Sequence, residues 1–467
     1  MSVTTDQMTA WCRAILGADG ALRLPLAEQL EQIPRLAALR DLPAGSIVLV
    51  RGDVDCKPGA EIGAGDIRLR SMLGTLRFGH SRGWKQVICG HIGRKPEGSL
   101  SKVRARLEEL LAAPVAFVEE WLDEKSLTLT PAATEAIANL PNGGFLLLEN
   151  TRRYAIERVL WKAKPGDLPK LAGDLAKFAH EIATKIGTHY VNEALSAGSL
   201  DTSTVVLPAA MSQAVLGEYV AGEFDGPMRR CLETELVVFS GLKIDKLDDL
   251  QAMIDRGKIR HVFAAGSLAV ALKKGAVELD GGKFSLGVAE DAGHSDKPYY
   301  IPPERIEQAR TMIAKGRQEG IEFVLPVDFV LADGRVAAEL GPGDQQFDIG
   351  PATSELFARK VGEFIAAVQA RPAGSPPAVA FHNGVFGMFE DPRFEAGTKK
   401  FIGELKRMKD AGIEVYIGGG EGGTALERYG QPDWVTHCFT AGGTVLNALG
   451  SEPVPYLVAL RRRAQER

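Results

Sequence analysis

Short apolar runs rich in β-branched residues alternate along the chain with longer segments whose apolar residues recur at helical spacing. The longer segments include Leu171–Ile186, Pro303–Glu319 and Thr398–Ala411. Continuous apolar strands separated by helices are typical of parallel sheets that helices cover on both faces, so the pattern predicts an α/β fold. The predicted strands are Ile47–Val50, Gln86–Cys89, Val115–Val118, Phe145–Leu148, Leu236–Phe239, His261–Ala264, Glu322–Leu325, Ala378–Phe381 and Glu414–Ile417.

The number of strands favours two sheets, because about nine strands are too many for one domain of about 150 residues. A helix-like stretch, Ser212–Phe224, is followed by Gly226 and Pro227 and marks the boundary. We therefore predict two doubly wound parallel-sheet (Rossmann-like) domains joined by a hinge helix. The predicted segments are an N-terminal extension (1–45), a first domain (46–210), the interdomain helix or hinge (211–228), a second domain (229–450) and a C-terminal tail that docks back on the first domain (451–467).

Composition excludes several classes of protein. The 467 residues are 45% hydrophobic and 25% charged, with a net charge of −5, so no overall basic field attracts nucleic acid or a membrane surface. No apolar run is long enough for a transmembrane helix, and the N-terminus does not resemble a secretory signal. The five cysteines are scattered and odd in number, which is typical of reduced structural thiols. We expect a cytoplasmic protein.

Basic residues follow several predicted strands in the first half of the chain. In an open parallel sheet, ligands bind beyond the carboxyl ends of the strands, and Arg is suited to bidentate contact with carboxylate or phosphate. A single Arg of this kind is usually only a surface salt-bridge partner. Four such residues at neighbouring strand ends favour a pocket for a small anion, and they are Arg68, His91, Arg94 and Arg152.

Glycines follow the strands of the second half instead, at 264–267, 418–423 and 441–444. Backbone amides at such helix N-termini can bind phosphate groups. Gly418, Gly420 and Gly423 also match the GxGxxG pattern of dinucleotide-binding proteins, but the next strand ends without the acidic residue that binds ribose. Binding of NAD is therefore only a weak alternative, and no P-loop, zinc-protease or serine-hydrolase motif occurs.

Taken in order, the motifs resemble those of the phosphoglycerate kinase family over about residues 46–460. The first half contains VLVRGDVD (48–55), DIRLR (66–70), GHIGR (90–94), LLENTR (147–152) and YVNEA (190–194). The second half contains SGLKI (240–244), LPVD (325–328), DIGP (348–351), HNGVFGMFE (382–390), IGGGE (417–421) and TAGG (440–443). So many motifs in the same order identify the chain as a divergent member of the family.

The resemblance implies a role for individual residues. A phosphoglycerate-type acid would be held on the first domain by Asp53, Asp55, Arg68, His91, Arg94 and Arg152. Adenine nucleotide would be held on the second domain by Lys243, Gly266, Phe347, Asn383, Glu390 (on the ribose) and the loop Gly419, Gly420, Glu421 and Gly422. Glu421 would carry Mg²⁺. The catalytic set would be Arg68, Lys243, Lys246, Gly442 and Gly443, with Gly442 and Gly443 presenting a helix N-terminus to the moving phosphoryl group.

Several positions depart from the family pattern. Asp55 replaces an Asn, Leu200 occupies the place of a pocket Arg, and Arg153 replaces a Phe and is a candidate substitute for the lost cation. The lysine segment is one residue short, so the downstream family Lys is assigned to Lys246, and Glu421 replaces an Asp. A lost cation and an added anion favour an acid with less negative charge than the family norm.

The resemblance and the residues together predict an ATP-dependent carboxylate kinase. It would transfer a phosphoryl group reversibly between ATP and the carboxylate of 3-phosphoglycerate or a related small acid, with hinge closure bringing the two half-sites together. A carboxylate is already ionised at pH 7, which explains an active site without an acid–base pair. The partners would be the acid and ATP or ADP, with Mg²⁺ as cofactor, in a monomer. The alternative is a non-catalytic relative that binds nucleotide or a partner protein.

Overall fold

The computed structural model describes residues 3–17, 24–56, 66–241, 244–450 and 453–466. The chain divides into two compact units. Unit 1 comprises Met1–Asp225 and Pro453–Arg467, and unit 2 comprises Gly226–Glu452. Each unit contains its own parallel sheet, which confirms the predicted α/β fold with two parallel-sheet domains.

Unit 1 is built on a six-stranded parallel sheet of order β3-β6-β2-β1-β7-β8. Its strands, with a separate two-stranded antiparallel ribbon β4–β5, are β1 (Ile47–Gly52), β2 (Lys85–Cys89), β3 (Val115–Val118), β4 (Leu122–Asp123), β5 (Thr128–Leu129), β6 (Phe145–Leu148), β7 (His189–Glu193) and β8 (Gln213–Leu216). Strand β1 lies between β2 and β7, with Val50 opposite Ile88 and Val191. These apolar side chains are fully buried, which explains the absence of polar alternation in the sequence.

Helices cover this sheet and follow its strands. They are α1 (Thr5–Ile15), α2 (Leu26–Glu31), α3 (Ile67–Ser71), α4 (Leu73–Ser81), α5 (Ser101–Leu111), α6 (Pro131–Ala138), α7 (Ala155–Arg158), α8 (Leu168–Lys185), α9 (Thr202–Val205) and α10 (Glu218–Glu223). Helix α8 has the clearest amphipathic pattern, with Leu175, Phe178 and Ile182 buried at helical spacing.

Unit 2 repeats the design with a six-stranded parallel sheet of order β11-β10-β9-β15-β16-β17 and a three-stranded antiparallel sheet β13-β12-β14. The strands are β9 (Thr234–Phe239), β10 (His261–Ala264), β11 (Glu322–Val324), β12 (Phe329–Leu331), β13 (Val336–Ala337), β14 (Gln346–Ile349), β15 (Val379–Asn383), β16 (Glu414–Gly418) and β17 (His437–Cys438). The helices are α11 (Arg229–Cys231), α12 (Lys246–Asp255), α13 (Gly266–Leu279), α14 (Pro303–Gln318), α15 (Pro351–Gln369), α16 (Ala396–Asp410), α17 (Gly420–Tyr429) and α18 (Gly442–Leu449).

The C-terminal helix α19 (Pro455–Gln465) belongs to unit 1. Tyr456 packs edge-to-face on Phe224, with ring centroids 6.2 Å apart. The guanidinium of Arg462 lies 5.4 Å from the centre of the Trp11 ring and donates to the carbonyl of Ala10. A basic and aromatic helix at the end of the sequence is thereby packed against the first helix of the chain.

The prediction of one helix over Ser212–Phe224 is wrong. Residues 213–216 form the edge strand β8, which pairs with β7, and only Glu218–Glu223 form an α-helix. A π-helical turn, Phe224–Met228, then contains Pro227. Ala214, Val215 and Leu216 are buried in the sheet, and a short apolar run of this kind cannot be distinguished from buried helix by periodicity alone. The hinge function of this segment stays a prediction.

Among the described residues, no helix is both long and apolar enough to cross a membrane. Within the described residues, none of the five cysteines forms a disulfide, and all except Cys438 are buried. Burial raises the pKa of Cys12, Cys56 and Cys89 to about 12, so these thiols stay protonated and pack as small apolar side chains.

Candidate active site

The predicted acid-binding residues of unit 1 lie at one edge of its sheet. Asp53 and Asp55 follow β1, His91 follows β2 and Arg152 follows β6, and these three strands are neighbours. Parallel neighbouring strands bring their carboxyl ends to the same edge, so residues about 100 positions apart in the sequence become neighbours. The structure therefore brings the predicted cluster together.

Arg68 is already paired with carboxylates. Its Nη1 donates to Oδ2 of Asp55 at 2.9 Å and to the Asp55 carbonyl at 3.0 Å, and its Nε lies 3.9 Å from Oδ1 of Asp53. The buried side chain of Leu69 holds the short helix α3 against unit 1, which leaves Arg68 half-buried at the edge of the pocket. The guanidinium is therefore fixed in position while part of it remains accessible.

The two aspartates after β1 have different environments. Asp53 is buried and accepts hydrogen bonds from Oγ of Ser196 at 2.7 Å and from its backbone N–H at 3.3 Å. Burial raises the pKa of Asp53, and the positive charge of Arg68 opposes that shift. Asp55 is half-buried and accepts a hydrogen bond from the backbone N–H of Gly93 at 2.8 Å. Asp55 thus connects Arg68 with the loop that follows β2.

His91 is neutral and its tautomer is determined by its neighbours. Burial, followed by the charges of Arg51, Arg152 and Arg68, lowers the pKa of His91 well below its usual value. Nη2 of Arg51 lies 2.6 Å from Nδ1 of His91, and a guanidinium can only donate. Nδ1 is therefore the acceptor and Nε2 carries the proton, 4.0 Å from Oδ2 of Asp55.

Arg152 is bound by the carboxylate of Asp201, which belongs to none of the motifs in the sequence. Its Nη2 donates to Oδ2 of Asp201 at 2.9 Å, and its Nε lies 3.3 Å from Oδ1. Nη1 donates to the carbonyl of Gly93 at 2.7 Å, and the guanidinium lies 4.7 Å from the centre of the Trp161 ring. Most of the donors of Arg152 are therefore used within the protein.

Asp201 is the centre of a buried ionic network. It is fully buried, and it also accepts a hydrogen bond from Nε1 of Trp161 at 2.8 Å and lies 3.6 Å from Nη2 of Arg51. Arg51 donates in addition to Ser203 and Thr204. Burial and then the charge of Asp201 raise the pKa of the neighbouring Glu157 carboxyl.

An open cleft of about 380 Å³ lies beside this network. Its lining consists of Arg94, Arg152, Trp161, Ser199 and Leu200. Arg94 is exposed and has no ion pair within the described part of the chain. The cleft therefore combines one available guanidinium with apolar side chains.

Arg153, the candidate substitute for the missing pocket Arg, is paired with two glutamates. Its Nη1 lies 3.5 Å from Oε1 of Glu119 and its Nη2 lies 3.4 Å from Oε2 of Glu149. Glu149 lies four residues before Arg153, within LLENTR, whereas Glu119 is 34 residues away in the sequence. Substitution by Arg153 for the cation lost at Leu200 stays a prediction.

The carboxyl edge of the unit 2 sheet is formed by backbone instead of charged side chains. Helices α12, α13, α17 and α18 all begin at this edge, after β9, β10, β16 and β17 respectively. The first turn of an α-helix has backbone N–H groups without an intrahelical partner and carries a partial positive charge. Four such ends at one sheet edge are suited to a ligand with several phosphate groups.

Two pairs of glycines allow the loops at this edge to approach closely. Gly266 has a φ of 66°, and a Cβ there would lie 2.6 Å from the carbonyl oxygen of Gly241. Gly419 has a φ of 105°. A Cβ added to Gly442 would lie 2.7 Å from the Cα of Gly419. Any larger residue at 266 or 442 would force these loops apart, so the glycines are required by the geometry.

Lys246 and Asn383 lie together at the same edge. Nζ of Lys246 donates to the carbonyl of Ser240 at 2.5 Å and to Oδ1 of Asn383 at 2.8 Å. Asn383 in turn donates through Nδ2 to the carbonyl of Gly418 at 2.7 Å. These bonds connect the loops after β9, β15 and β16. The predicted Lys243 lies outside the described residues.

Phe347 and Glu390 lie on loops that are joined to each other. The N–H of Met388 donates to the carbonyl of Phe347 at 3.0 Å, and the Phe347 ring packs edge-to-face on Phe394. Glu390 is exposed. A small cavity of about 20 Å³ is lined by Ser267, which follows Gly266, and by Gln346, which precedes Phe347. The cavity therefore places Phe347 near the start of α13.

Residues 39–452 match the family model described as phosphoglycerate kinase. That span includes both sheet edges described above. The chain belongs to the phosphoglycerate kinase family. The comparison confirms the predicted family and, with it, the class of a phosphotransferase with a carboxyl group as acceptor.

Individual relatives agree with this assignment. The chain is 27% identical over 441 residues to the phosphoglycerate kinase of Clostridium beijerinckii, a match that covers 89% of this chain and 96% of that protein. It is 29% identical over 442 residues to the enzyme of the same name from Synechococcus sp. strain JA-2-3B'a(2-13), with 89% and 95% covered. Identities below 30% over nearly the whole length are consistent with the predicted divergence.

Solved structures share the fold. The phosphoglycerate kinase of Pyrococcus horikoshii OT3 matches with a TM-score of 0.67 and 24% identity, covering 92% of this chain and 99% of that one. The phosphoglycerate kinase of Coxiella burnetii matches with a TM-score of 0.65 and 21% identity, covering 93% and 100%. At these identities the likeness establishes the architecture and not the residues of the site.

Glu421 is compatible with Mg²⁺ only as part of a shared site. Members of this family use ATP or ADP with Mg²⁺, and Glu421 is exposed in the first turn of α17, beside Gly419 and Gly442. Within the described ranges, no group of three or more His, Cys, Asp or Glu side chains has the arrangement of a metal site. Mg²⁺ typically takes one or two protein carboxylates together with substrate phosphates, and a lone glutamate fits that pattern.

Proposed function

We propose that the protein transfers a phosphoryl group reversibly between ATP and the carboxylate of a small acid, which gives an acyl phosphate. The observation that carries the proposal is the backbone cradle of unit 2, where helix N-termini, the Gly241–Gly266 and Gly419–Gly442 approaches and Lys246 converge at one sheet edge. In a chain of this family, such a cradle supports binding of a nucleotide through its phosphates. The proposed acid site is the charged edge of unit 1.

The reaction needs positioned charge and no general base. An ionised carboxylate oxygen would attack the γ-phosphorus, a new P–O bond would form, and the bond to the oxygen bridging the β- and γ-phosphorus atoms would break, which releases ADP. Negative charge in such a transition state is spread over the phosphoryl oxygens and is stabilised by Arg, Lys and backbone N–H groups. The proposed groups are Arg68 on unit 1 and Lys243, Lys246, Gly442 and Gly443 on unit 2.

The acid would be held by a subset of the unit 1 residues. Arg68, positioned by Asp55, would bind the reacting carboxylate, and Asp53, His91 and Arg94 would complete the pocket. Arg152 remains in the proposed site, but its guanidinium is held by Asp201, so it contributes mainly to the wall of the cleft. Among the proposed acid-binding residues that the structure describes, Arg68 and Arg94 are therefore the two guanidinium groups that solvent can reach.

The nucleotide would be held mainly by unit 2 backbone. Gly266, Gly419, Gly420 and Gly422 would allow the phosphates to approach the main chain. Asn383 would support that loop, Phe347 and Glu390 would contact the nucleoside, and Glu390 would bind the ribose. Glu421 would hold Mg²⁺, which supplies neutralisation of phosphate charge when bound.

An assay with the full-length protein tests the proposal. The protein would be incubated with Mg-ATP, hydroxylamine and a panel of small carboxylic acids that includes 3-phosphoglycerate and D-glycerate. Acyl phosphate is trapped as a hydroxamate, and ADP is measured separately. Hydroxamate and ADP in equal amounts with any acid support the proposal. A protein that binds Mg-ADP by calorimetry but phosphorylates no acid would instead fit the alternative of a non-catalytic relative. The monomeric state and cytoplasmic location stay predictions.

A further inference from the structure

The carboxylate of Asp201 has the surroundings of a bound anion. Two guanidinium groups and one indole N–H converge on it: Nη2 of Arg152 at 2.9 Å, Nε1 of Trp161 at 2.8 Å and Nη2 of Arg51 at 3.6 Å. Both oxygens are fully buried and are contacted from different elements of unit 1. This is the donor arrangement by which proteins hold a carboxylate or phosphate ligand.

The same donors are adjacent to the open cleft. Arg152 and Trp161 line the cleft, and so do Ser199 and Leu200, the two residues that directly precede Asp201. The segment 199–201 therefore forms one wall of the cleft and also supplies the carboxylate that binds Arg152. Buried ion pairs also occur with a purely structural role, and the two roles predict different effects of neutralising Asp201.

A second anionic group on the acid would be poorly accommodated. The forked face of Arg152 is taken by Asp201, and the nearest free positive charge in the cleft is that of Arg94. A phosphate dianion placed in the cleft would lie beside a buried carboxylate with only Arg94 as a free cationic partner, and like charges at short range are costly in a poorly solvated site. Leu200 and the Trp161 ring instead offer contact for an uncharged group.

We propose that Asp201 is a specificity-determining residue that fills the anion subsite of the cleft with the protein's own carboxylate. The acid substrate then carries one carboxylate and an uncharged tail, such as a hydroxylated or short aliphatic chain, in place of a phosphorylated one. The inference rests on the proposed carboxylate kinase activity and names the substrate class of that site.

The test compares two acids that differ only in the phosphate group. 3-Phosphoglycerate and D-glycerate are assayed as acceptors with Mg-ATP, and kcat/KM is measured for each. The wild-type protein should favour D-glycerate by about tenfold or more, the size of one charge-assisted contact. Asp201→Asn should raise the ratio of kcat/KM for 3-phosphoglycerate to that for D-glycerate by about tenfold or more, because a neutral amide no longer compensates the charge of Arg152 or repels phosphate.

Glu193→Gln is the matched control. Glu193 is another buried carboxyl of unit 1, bonded to Thr75 and to the backbone of Tyr219 and Val220 and not part of the cleft. This variant should leave the ratio of the two acids unchanged. If Asp201→Asn lowers kcat/KM for both acids alike, as loss of a structural ion pair would, the inference is overturned. A wild-type preference for 3-phosphoglycerate overturns it as well.

Calorimetric binding of the two acids to the wild-type protein covers two further cases. If Asp201→Asn does not fold, as judged by circular dichroism, tighter binding of D-glycerate than of 3-phosphoglycerate supports the inference and the reverse order overturns it. If no acid in the panel is phosphorylated, the proposed kinase function fails, and the same order of binding still decides the specificity of the cleft. The two failures are therefore distinguishable.

Discussion

The carboxyl edges of the two parallel sheets differ in the groups that they present. In unit 1 the edge carries charged side chains that pair with one another, such as Arg68 with Asp55 and Arg152 with Asp201. In unit 2 the edge carries glycines and helix N-termini, with Lys246 bonded to Asn383. Both edges are positioned by the same device, the aligned carboxyl ends of parallel strands.

The difference determines how each edge responds to change. A site made of side chains can be altered by one substitution, because each charge is carried by one residue. A site made of backbone N–H groups tolerates many substitutions but not the loss of a glycine at a close approach. The departures from the family pattern occur in both units, at Asp55, Leu200 and Arg153 in unit 1 and at the shortened lysine segment and Glu421 in unit 2, whereas the glycines at 419, 420, 442 and 443 match the pattern.

The largest effect is expected at Arg68, the unit 1 side chain proposed to contact the transferred group. Arg68→Ala should lower kcat by ~10³ or more, because an Arg that stabilises phosphoryl-transfer charge can contribute ~10³–10⁵ in rate. Arg68→Lys should not restore activity, since an ammonium lacks the planar fork. Steady-state kinetics check this, with ADP affinity and melting temperature near the wild-type values.

Arg70→Ala is the matched control for Arg68. Arg70 lies two positions further along α3, is exposed and pairs with Asp66, away from the pocket. It should retain nearly all of kcat. If Arg68→Ala keeps most of kcat and changes only KM, Arg68 holds the ground-state acid, and the stabilisation of the transferred group moves to unit 2.

The backbone character of the unit 2 edge is tested by Gly266→Ala. A Cβ at a φ of 66° and 2.6 Å from the Gly241 carbonyl oxygen is both strained and too close. We expect a loss of about 3 kcal/mol of unfolding free energy and at least a roughly tenfold weaker affinity for Mg-ADP. Urea denaturation and calorimetry measure the two effects.

Gly403→Ala provides the comparison within the same unit. Gly403 lies inside α16, and a Cβ there meets nothing within 4 Å. This change should stabilise the protein by up to about 1 kcal/mol and leave ADP binding intact, because alanine favours helix. Equal effects of the two substitutions would contradict the close-approach argument.

The next largest effect concerns pH and a buried histidine of unit 2. Burial lowers the pKa of His382 to about 4; its Nε2–H donates to the carbonyl of Gly384 at 2.7 Å, and its Nδ1 is buried without a hydrogen-bond partner. Below pH 6.5 the unfolded histidine gains a proton that the folded one does not gain until about pH 4, so stability falls as the pH falls through this window. Between pH 7.5 and 4.5 the loss is about 2 kcal/mol.

His382→Phe removes this titration while keeping an aromatic ring beside Phe401. The variant loses the bond to Gly384 at every pH, so only the difference between the two pH values is informative. Urea denaturation at pH 7.5 and 4.5 should show a smaller decrease for the variant than for the wild-type protein. An identical decrease in both would place the acid sensitivity elsewhere, for example at the neutral His91 of unit 1.

The smallest effect is expected from restoring the family residues at two unit 1 positions. Asp55→Asn with Leu200→Arg removes one anion and adds one cation, and it should raise kcat/KM for 3-phosphoglycerate by about tenfold. The gain is limited because Asp201 still occupies Arg152. Steady-state kinetics with 3-phosphoglycerate measure this effect. An unchanged or lower kcat/KM would contradict the interpretation that the charges at positions 55 and 200 limit the use of a phosphorylated acid.

Much of the fold was predictable because its strands are buried on both faces. Runs such as Phe145–Leu148 and Leu236–Phe239 contain no polar residue, so they stand out in the sequence. The apolar pattern does not indicate strand β7, because this strand ends in Asn192 and Glu193. It does not distinguish β8 either, because Ala214, Val215 and Leu216 continue the apolar pattern of the helix that follows. Edge strands and strands that end in functional residues carry the weakest pattern.

The sequence by itself determined the family, the two parallel sheets and the identity of the strand-end residues, because each of these depends on local pattern and order. Only the tertiary structure decided how the charges are paired. Arg152 and Asp201 are 49 positions apart, and Arg51 and His91 are 40 apart, yet both pairs are in contact. Contacts of this kind follow from the order of the strands in the sheet and from the loops at its edge, and sheet order is a property of the folded chain that no local stretch of sequence contains.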